Sequence, residues 1–250
     1  MIFRGPERDL SGPYTLFVGG TETYGKFIAE PFPALVEKMA DLTGVNYGCI
    51  NAGVDAFLSD APSMENMRNA ETVVIQVLGA HNMSNRFYRV HPRRNDRFLD
   101  ASAVMKAIFR DIDFTEFHFT RHMLGTLCAR APDRYAMLRE ELKQAWVARM
   151  RLLLNSIPGR VFLLWFSAQA PGGDFGQPAL GPDPVFVDRA MLDILRPLVE
   201  DVIEVVASPE AMAKGTEGMV FSEMEKVAAQ RVLGPGVHQQ AAEAIAAKLQ

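Results

Sequence analysis

Five short apolar runs alternate with longer amphipathic stretches, and this alternation limits the folds open to the chain more than any other feature. The runs read YTLFV, NYGCIN, TVVIQVL, VFLLWFS and VIEVV, and they begin at Tyr14, Asn46, Thr72, Val161 and Val202. Several are apolar on both faces, as strands of a buried parallel sheet must be. Helical patterns cover residues 34–42, 188–199, 222–232 and 238–249. Strand–helix alternation predicts an α/β three-layer sandwich with a doubly wound, flavodoxin-like parallel sheet of about five strands.

Two segments depart from this alternation. Residues 83–157 separate the third and fourth runs by more than a simple crossover needs, and they contain charged loop and helical patterns but no clear strand. We predict a helical insertion there, a cap over one edge of the sheet within a single domain of residues 1–250. Residues 170–184 are rich in glycine and proline and predict a loop near the functional site.

The bulk composition narrows the class of protein. The formal net charge of -4 gives no global field that favours nucleic acid. Two cysteines, Cys49 and Cys128, make no disulfide framework. The sequence shows no signal-peptide pattern and no apolar stretch long enough to span a membrane. We therefore expect a cytoplasmic protein that binds neither nucleic acid nor membrane, and the sequence leaves its oligomeric state open.

The first strand runs into a glycine-rich turn, VGGTETYGKFI, which begins at Val18. Such a turn between a strand and a helix aims backbone N–H groups at an anion or an oxyanion. Gly20 to Lys26 has the spacing of a Walker A phosphate loop, but that motif continues with Ser or Thr and this chain has Phe27. The other interpretation is the nucleophile turn of an esterase.

Four blocks resemble those of the SGNH (GDSL-like) hydrolases, in the same order along the chain. GGTETYG resembles the opening block GDSxTxG, and INAGVDA, VIQVLGAHN and GPGVHQQAAEAIA resemble the later blocks. In the first block, Thr21 takes the serine position and Gly20 the aspartate position. In the third block, His81 and Asn82 stand where the family has Asn and Asp. In the last block His238 is kept, and Pro235 replaces the aspartate that precedes it. The resemblance implies an SGNH-like fold and acyl-ester chemistry.

The family's roles transfer position by position. They make Thr21 the attacking hydroxyl and His238 its base, with His81 or Asn82 as the side-chain donor to the oxyanion. The resemblance gives the backbone positions of the oxyanion site to Gly20, Gly53, Ala56 and Gly79.

Alternatives remain for several of these residues. Thr21 also suits the cap of the first helix, and His238 the polar start of the last one. Because Pro235 cannot orient His238, Glu223 and Asp174 are the candidate substitutes.

A basic cluster follows the third strand. Residues 81–98 contain five arginines, among them Arg86, Arg89, Arg93 and Arg94, against the single acid Asp96. Arginine forks suit phosphate, sulfate or carboxylate groups, so this cluster predicts anion binding. The alternative is an exposed basic surface paired with acids of the insertion.

We expect neither a metal nor another cofactor. His118 and His122 are four residues apart, but HFTRH lacks the glutamate of a zinc-protease helix, so helix surface or packing is the better interpretation. The favoured function is an SGNH-like esterase or O-acyl (acetyl) transferase that acts on a polar, anionic small molecule or saccharide. The alternative is a non-catalytic SGNH-fold protein that binds an anionic ligand or a partner protein.

Overall fold

The computed structural model describes residues 3–172 and 180–249. Its strands are β1 (Thr15–Gly19), β2 (Gly44–Gly48), β3 (Thr72–Gln76), β4 (Tyr88–His91), β5 (Arg94–Ala101), β6 (Arg160–Ser167) and β7 (Asp201–Val206). Five of them form one parallel sheet in the order β2-β1-β3-β6-β7. The predicted parallel α/β fold is confirmed, and the strand order is that of flavodoxin-like sheets.

Helices cover both faces of this sheet. The α-helices are α1 (Thr21–Tyr24), α2 (Phe32–Ala40), α3 (Val54–Leu58), α4 (Ala61–Asn69), α5 (Ala103–Ile108), α6 (Thr120–Arg130), α7 (Pro132–Asn155), α8 (Arg189–Leu195), α9 (Pro209–Ala213), α10 (Lys226–Ala229) and α11 (Pro235–Leu249). Short 3₁₀ turns occupy Phe114–Glu116, Arg196–Leu198 and Glu223–Glu225. The helix predicted over 222–232 is therefore reduced to one such turn followed by α10.

The two faces of the sheet bury alternate residues of each strand. Leu16, Val18 and Ile75 pack toward α3, α4, α7 and α8. Phe17 and Val74 pack toward α2 and α11 on the other face. Because successive side chains of a strand point to opposite faces, strands that are apolar throughout are what a three-layer sandwich requires.

The segment between β3 and β6 contains a hairpin, so the expectation that it holds no strand is wrong. β4 and β5 pair antiparallel, with Tyr88, Val90, Phe98 and Ala101 buried and charged residues between them. The density of arginine in these strands concealed the alternation. The hairpin, α5, α6 and the first half of α7 share a core that includes Phe109, Leu124 and Leu138.

Helix α7 then continues into the core of the main sheet. Trp146 and Met150 lie among the side chains that pack on β1 and β3, and the Trp146 indole N–H donates to the carbonyl of Leu78 at 2.8 Å. The segment is therefore joined to the sheet by the helix that also makes the crossover from β3 to β6. Among the described residues, none of the helices is both long and apolar enough to cross a bilayer.

Removing the Trp146 ring tests this double role of α7. We expect Trp146→Ala to lower the free energy of unfolding by about 3–5 kcal/mol, because it empties a fully buried site and leaves the Leu78 carbonyl without its donor. The exposed Leu152, on the same helix, provides the control, and Leu152→Ala should change stability by less than about 0.5 kcal/mol. Urea unfolding measures both, and equal effects would contradict the packing described here.

Candidate active site

The turn between β1 and α1 is held by the amide of Gln76 at the end of β3. Gln76 Oε1 accepts hydrogen bonds from the backbone N–H groups of Gly20 and Thr23, at 3.0 and 3.1 Å, and from the Thr23 hydroxyl at 2.7 Å. Gly19 must lack a side chain, because a Cβ there would lie 2.0 Å from Thr23 Oγ1. Sequence analysis missed Gln76, although a polar residue within the apolar run TVVIQVL was a usable signal.

Thr21 is the first residue of α1 and is partly exposed at the carboxyl end of β1. Its Oγ1 accepts the backbone N–H of Asn51 at 3.0 Å, and its hydroxyl donates to Asn51 Oδ1 at 3.2 Å. The Thr21 side chain does not cap α1, because Gly20 is the N-cap residue. The hydroxyl is therefore directed across to the loop after β2.

Further hydrogen bonds join Asn51, Asn82, Thr120 and Asp96 in a closed ring, to which Thr21 is bonded at Asn51; we call these five residues the polar ring. Asn51 Nδ2 donates to Asp96 Oδ2 at 3.1 Å, and Asn82 Nδ2 donates to the Asn51 carbonyl at 3.4 Å. The Thr120 hydroxyl lies 2.7 Å from Asn82 Oδ1 and 3.4 Å from the Asp96 carbonyl. Three SGNH-like blocks thus meet at one edge of the sheet, and two residues of the segment between β3 and β6 complete the ring.

Three of the expected oxyanion donors are used inside the protein. The N–H of Gly20 is bound to Gln76, and the N–H groups of Gly53 and Ala56 both donate to Asn95 Oδ1, at 2.8 and 3.0 Å. Asn95 comes from β5 and is fully buried, and it takes two of the backbone donors that the resemblance assigns to an oxyanion.

Gly79 and His81 lie together beyond β3. A Cβ on Gly79 would be 2.7 Å from His81 Nδ1, so glycine permits the imidazole to fold back against the chain. His81 is buried and its Nδ1 has no hydrogen-bond partner. Burial, together with the charge of Arg121, lowers the pKa of His81 to about 3. His81 is therefore a neutral ring at neutral pH.

His238 lies in the first turn of α11, beside Glu22 of α1, and it does not have the role expected of it. The ring is fully buried against Phe32 and Phe166, and Nδ1 accepts the backbone N–H of Phe32 at 3.1 Å. That bond occupies the Nδ1 lone pair and fixes the ring proton on Nε2, so His238 has no free lone pair with which to act as a base. Burial and the charge of Arg4 lower the pKa of His238 to about 3.

The Nε2 atom of His238 faces Glu22, which sequence analysis missed. Glu22 Oε2 lies 3.8 Å from His238 Nε2, and the Glu22 carboxyl accepts the N–H of Leu233 at 3.3 Å. Burial raises the pKa of Glu22 to about 8, against the lowering effect of the Leu233 bond, and the charge of Asp183 also raises it. Glu223 is exposed and pairs with Lys226, and Asp174 lies outside the described residues.

Two of the four arginines expected to bind an anion are paired with acids. Arg86 lies 2.9 Å from Glu141, and Arg89 bonds Asp100 through two nitrogens at 2.8 and 2.9 Å. Arg93 and Arg94 are exposed at the hairpin turn. The interpretation as a paired basic surface therefore describes Arg86 and Arg89.

His122 lies in α6, whereas His118 precedes that helix, so the two histidines do not share one helix face. His118 is exposed, and the His122 ring packs edge-on against Phe117 with centroids 5.2 Å apart. Within residues 3–172 and 180–249, no three His, Cys, Asp or Glu side chains are grouped so that they could hold a metal ion.

The strand order defines a flavodoxin-like parallel α/β fold, and its carboxyl edge brings together three of the sequence blocks that resemble those of SGNH hydrolases. The chain matches, over residues 1–250, the model of a domain of unknown function, DUF6473, and it belongs to that family. The comparison with curated proteins found no match.

Solved structures with related folds span nearly the whole chain at low identity. A variant of an acetyl-xylooligosaccharide esterase from Geobacillus stearmophilus is 12% identical, with 96% of this chain and 94% of that chain covered and a TM-score of 0.49. A putative lipolytic protein of the G-D-S-L family from Desulfitobacterium hafniense is 11% identical, with 94% and 99% covered and a TM-score of 0.38. A lipase from a goat rumen metagenome is 11% identical, with 95% and 96% covered and a TM-score of 0.46.

The buried neutral state of His238 predicts a loss of stability in acid. Because its pKa in the folded protein is about 3 and the ordinary value is 6.5, only the unfolded chain binds the proton as the pH falls below about 6.5. Lowering the pH from about 7 to 5 should therefore cost on the order of 2 kcal/mol through this residue. Glu22 acts in the opposite direction over this range, so the effect must be measured as a difference from a variant.

Urea unfolding of wild type and His238→Gln at the two pH values gives that difference. The variant should lose less stability than wild type on acidification, while the exposed His118→Gln should follow wild type. If His238→Gln and wild type lose the same amount, His238 is not neutral in the folded protein.

Proposed function

We propose that this protein hydrolyses or transfers acyl esters, with the Thr21 hydroxyl as the attacking group. One observation supports this more than any other: Thr21 is partly exposed at the carboxyl edge of the sheet, and its oxygen is already held by the Asn51 N–H at 3.0 Å. The carboxyl edge of a parallel sheet is where α/β proteins bind their ligands. A hydroxyl fixed there is positioned to attack a bound acyl carbon.

The polar ring supplies the groups that this chemistry needs. The Asn51 N–H stabilises the negative charge that develops on the attacking oxygen, and the Asn51 amide connects Thr21 to the Asp96 carboxylate. We assign the proton of the Thr21 hydroxyl to Asp96, which would receive it through one bridging water, because the Asn51 amide cannot relay a proton and His238 has no lone pair free to receive it. Asn82 and the neutral His81 ring are the side-chain donors proposed for the oxyanion.

The charges near this edge favour a polar, anionic substrate. Arg93 and Arg94 are exposed at the hairpin turn, directly before Asn95 and Asp96. They can bind a carboxylate or phosphate of a small molecule or saccharide while the ester reaches Thr21.

Substituting Thr21 tests the proposal. We expect Thr21→Ala to lower kcat/KM for an acetyl ester by about 100-fold or more, because the attacking oxygen is lost. Thr21→Ser should retain or raise activity, since it removes only the methyl group beside that oxygen. The exposed Thr115, whose hydroxyl donates to Asp113, gives the control Thr115→Ala, which should match wild type.

A second candidate is a binding protein without catalytic activity, and one observation favours it. Asn95 already accepts the backbone N–H groups of Gly53 and Ala56, the two that the second SGNH-like block would offer to an oxyanion. In that case wild type shows no turnover above buffer and Thr21→Ser changes nothing. Only the affinity for an anion such as sulfate then responds to Arg93→Ala combined with Arg94→Ala.

A further inference from the structure

We propose that Arg4 is a positioning residue for Thr21 and that it fixes the attacking hydroxyl from the far end of α1. The proposal rests on the proposed acyl-ester chemistry and adds to it a residue that acts through the backbone and does not touch the ester. Gln76 holds the start of the turn after β1, and Arg4 holds its end. Thr21 lies between these two attachment points.

The Arg4 guanidinium donates to four backbone carbonyl groups at the end of α1 and just after it. Nη1 donates to Tyr24 at 3.1 Å and to Gly25 at 2.6 Å, and Nη2 donates to Ile28 at 2.8 Å and to Ala29 at 2.9 Å. A guanidinium is planar and carries its donors in a fixed fork, so binding four acceptors at once leaves it little freedom. The side chain therefore fixes the backbone that ends α1.

Two peptide groups connect Arg4 to Thr21. The peptide group between Tyr24 and Gly25 accepts from Arg4 through its carbonyl, and its N–H donates to the Thr21 carbonyl at 3.0 Å. The next peptide group, between Gly25 and Lys26, also accepts from Arg4, and its N–H lies 3.3 Å from the same Thr21 carbonyl. A hydrogen bond accepted by a peptide group strengthens the one that it donates. Arg4 thus acts on Thr21 across a single peptide group.

Helix α1 cannot keep this position by itself. It has only four residues, and one helical turn gains too few hydrogen bonds to be stable alone. Its C-cap residue, Gly25, is left-handed at φ 69°, and a Cβ there would lie 2.3 Å from Pro31 Cβ and 3.3 Å from Arg4 Nη1. The last carbonyls of a helix need donors from outside it, and Arg4 is that donor for Tyr24.

The segment that carries Arg4 is attached to β2. The ring of Phe3 stacks on that of Tyr47, with centroids 4.0 Å apart and an angle of 4° between the ring planes. Through this segment the turn after β1 is tied to β2, and through Gln76 it is tied to β3. Because β2 and β3 are the two strands beside β1, the turn is held from both sides.

This hold matters for the attacking oxygen. Thr21 Oγ1 accepts the Asn51 N–H at 3.0 Å, so a shift of α1 weakens that bond as it moves the oxygen. Displacing a reacting atom by about 1 Å can lower a rate on the order of 100-fold. Loss of Arg4 should therefore slow the reaction of a bound ester and leave its binding nearly unchanged.

Three variants test this role with an acetyl ester as substrate. We expect Arg4→Met to lower kcat by about 10-fold or more with less than about a twofold change in KM, because the hydroxyl is displaced and the ester still binds. Arg4→Lys keeps the charge but cannot span four carbonyls, so its kcat should lie between those of Arg4→Met and wild type. Arg8 pairs with Glu37 of α2 at 2.5 Å, and the matched control Arg8→Met should keep kcat within about twofold of wild type.

Three outcomes of these measurements would overturn the proposal. Equal losses of kcat in Arg4→Met and Arg8→Met would show that the whole segment matters only for stability. A rise in KM with kcat unchanged would place Arg4 in binding and not in positioning. A kcat in Arg4→Lys equal to that of wild type would show that the four carbonyl bonds are not needed, and this arm decides if Arg4→Met does not fold.

Amide hydrogen exchange measured by NMR needs no turnover and separates this proposal from the proposed function. In Arg4→Met, the N–H groups of Gly25 and Asn51 should exchange at least about 10-fold faster, relative to that of Val74 in β3, than in wild type. In Arg8→Met they should exchange as in wild type.

An unchanged Asn51 exchange rate in Arg4→Met overturns the inference and leaves the ester chemistry standing. A wild-type protein without ester turnover, together with the faster exchange in Arg4→Met, overturns the proposed function and leaves the hold of Arg4 on Thr21 standing.

Discussion

The candidate site depends on one buried amide, that of Gln76. Its Oε1 accepts three hydrogen bonds from the turn after β1, and β1 and β3 are neighbours in the sheet. The turn is therefore tied to the sheet itself. Thr21 and Glu22 come directly after this turn, and their side chains point in different directions. Replacing Gln76 with an apolar residue would leave two buried N–H groups and a hydroxyl without partners, each at a cost of about 1–3 kcal/mol.

Three of the SGNH-like blocks meet at one edge of the sheet, but their side chains have partners other than those that the resemblance implies. His238 is retained in the sequence, but α11 begins at Pro235, so the ring lies in the first turn of that helix and is buried against Phe32 and Phe166. Asn95 Oδ1 accepts the backbone N–H of Gly53, and the Glu22 carboxyl lies 3.8 Å from Nε2 of His238. The fold of this chain therefore does not determine its chemistry, as is also true of other α/β proteins.

The sequence predicted the sheet and the meeting of its blocks because both follow from local pattern. Strands apolar on both faces belong in a parallel sheet, and the carboxyl ends of such strands share an edge, which brings Thr21 close to Asn82. The same reasoning could not find Asp96 or Thr120, because they reach the edge only through the fold of the hairpin and α6.

Hydrogen-bond and ion-pair partners that are distant along the chain also could not be predicted from the sequence. The role of His238 is decided by a backbone N–H that lies 206 residues away, at Phe32. The pairing of Arg86 with Glu141 likewise depends on how the hairpin packs against α7. In both cases the sequence pointed to the residue as a candidate, but it could not predict the partner that determines the chemistry of that residue.

Covalent labelling tests the central claim, that Thr21 is an attacking hydroxyl, most directly. A fluorophosphonate forms a stable bond to an activated hydroxyl at an acyl-transfer site, and mass spectrometry of the digested protein locates it. The account predicts one adduct, on the peptide that contains Thr21, which is lost in Thr21→Ala and kept in Thr21→Ser. Ester turnover with no adduct on Thr21, or with the adduct on another residue, would contradict it.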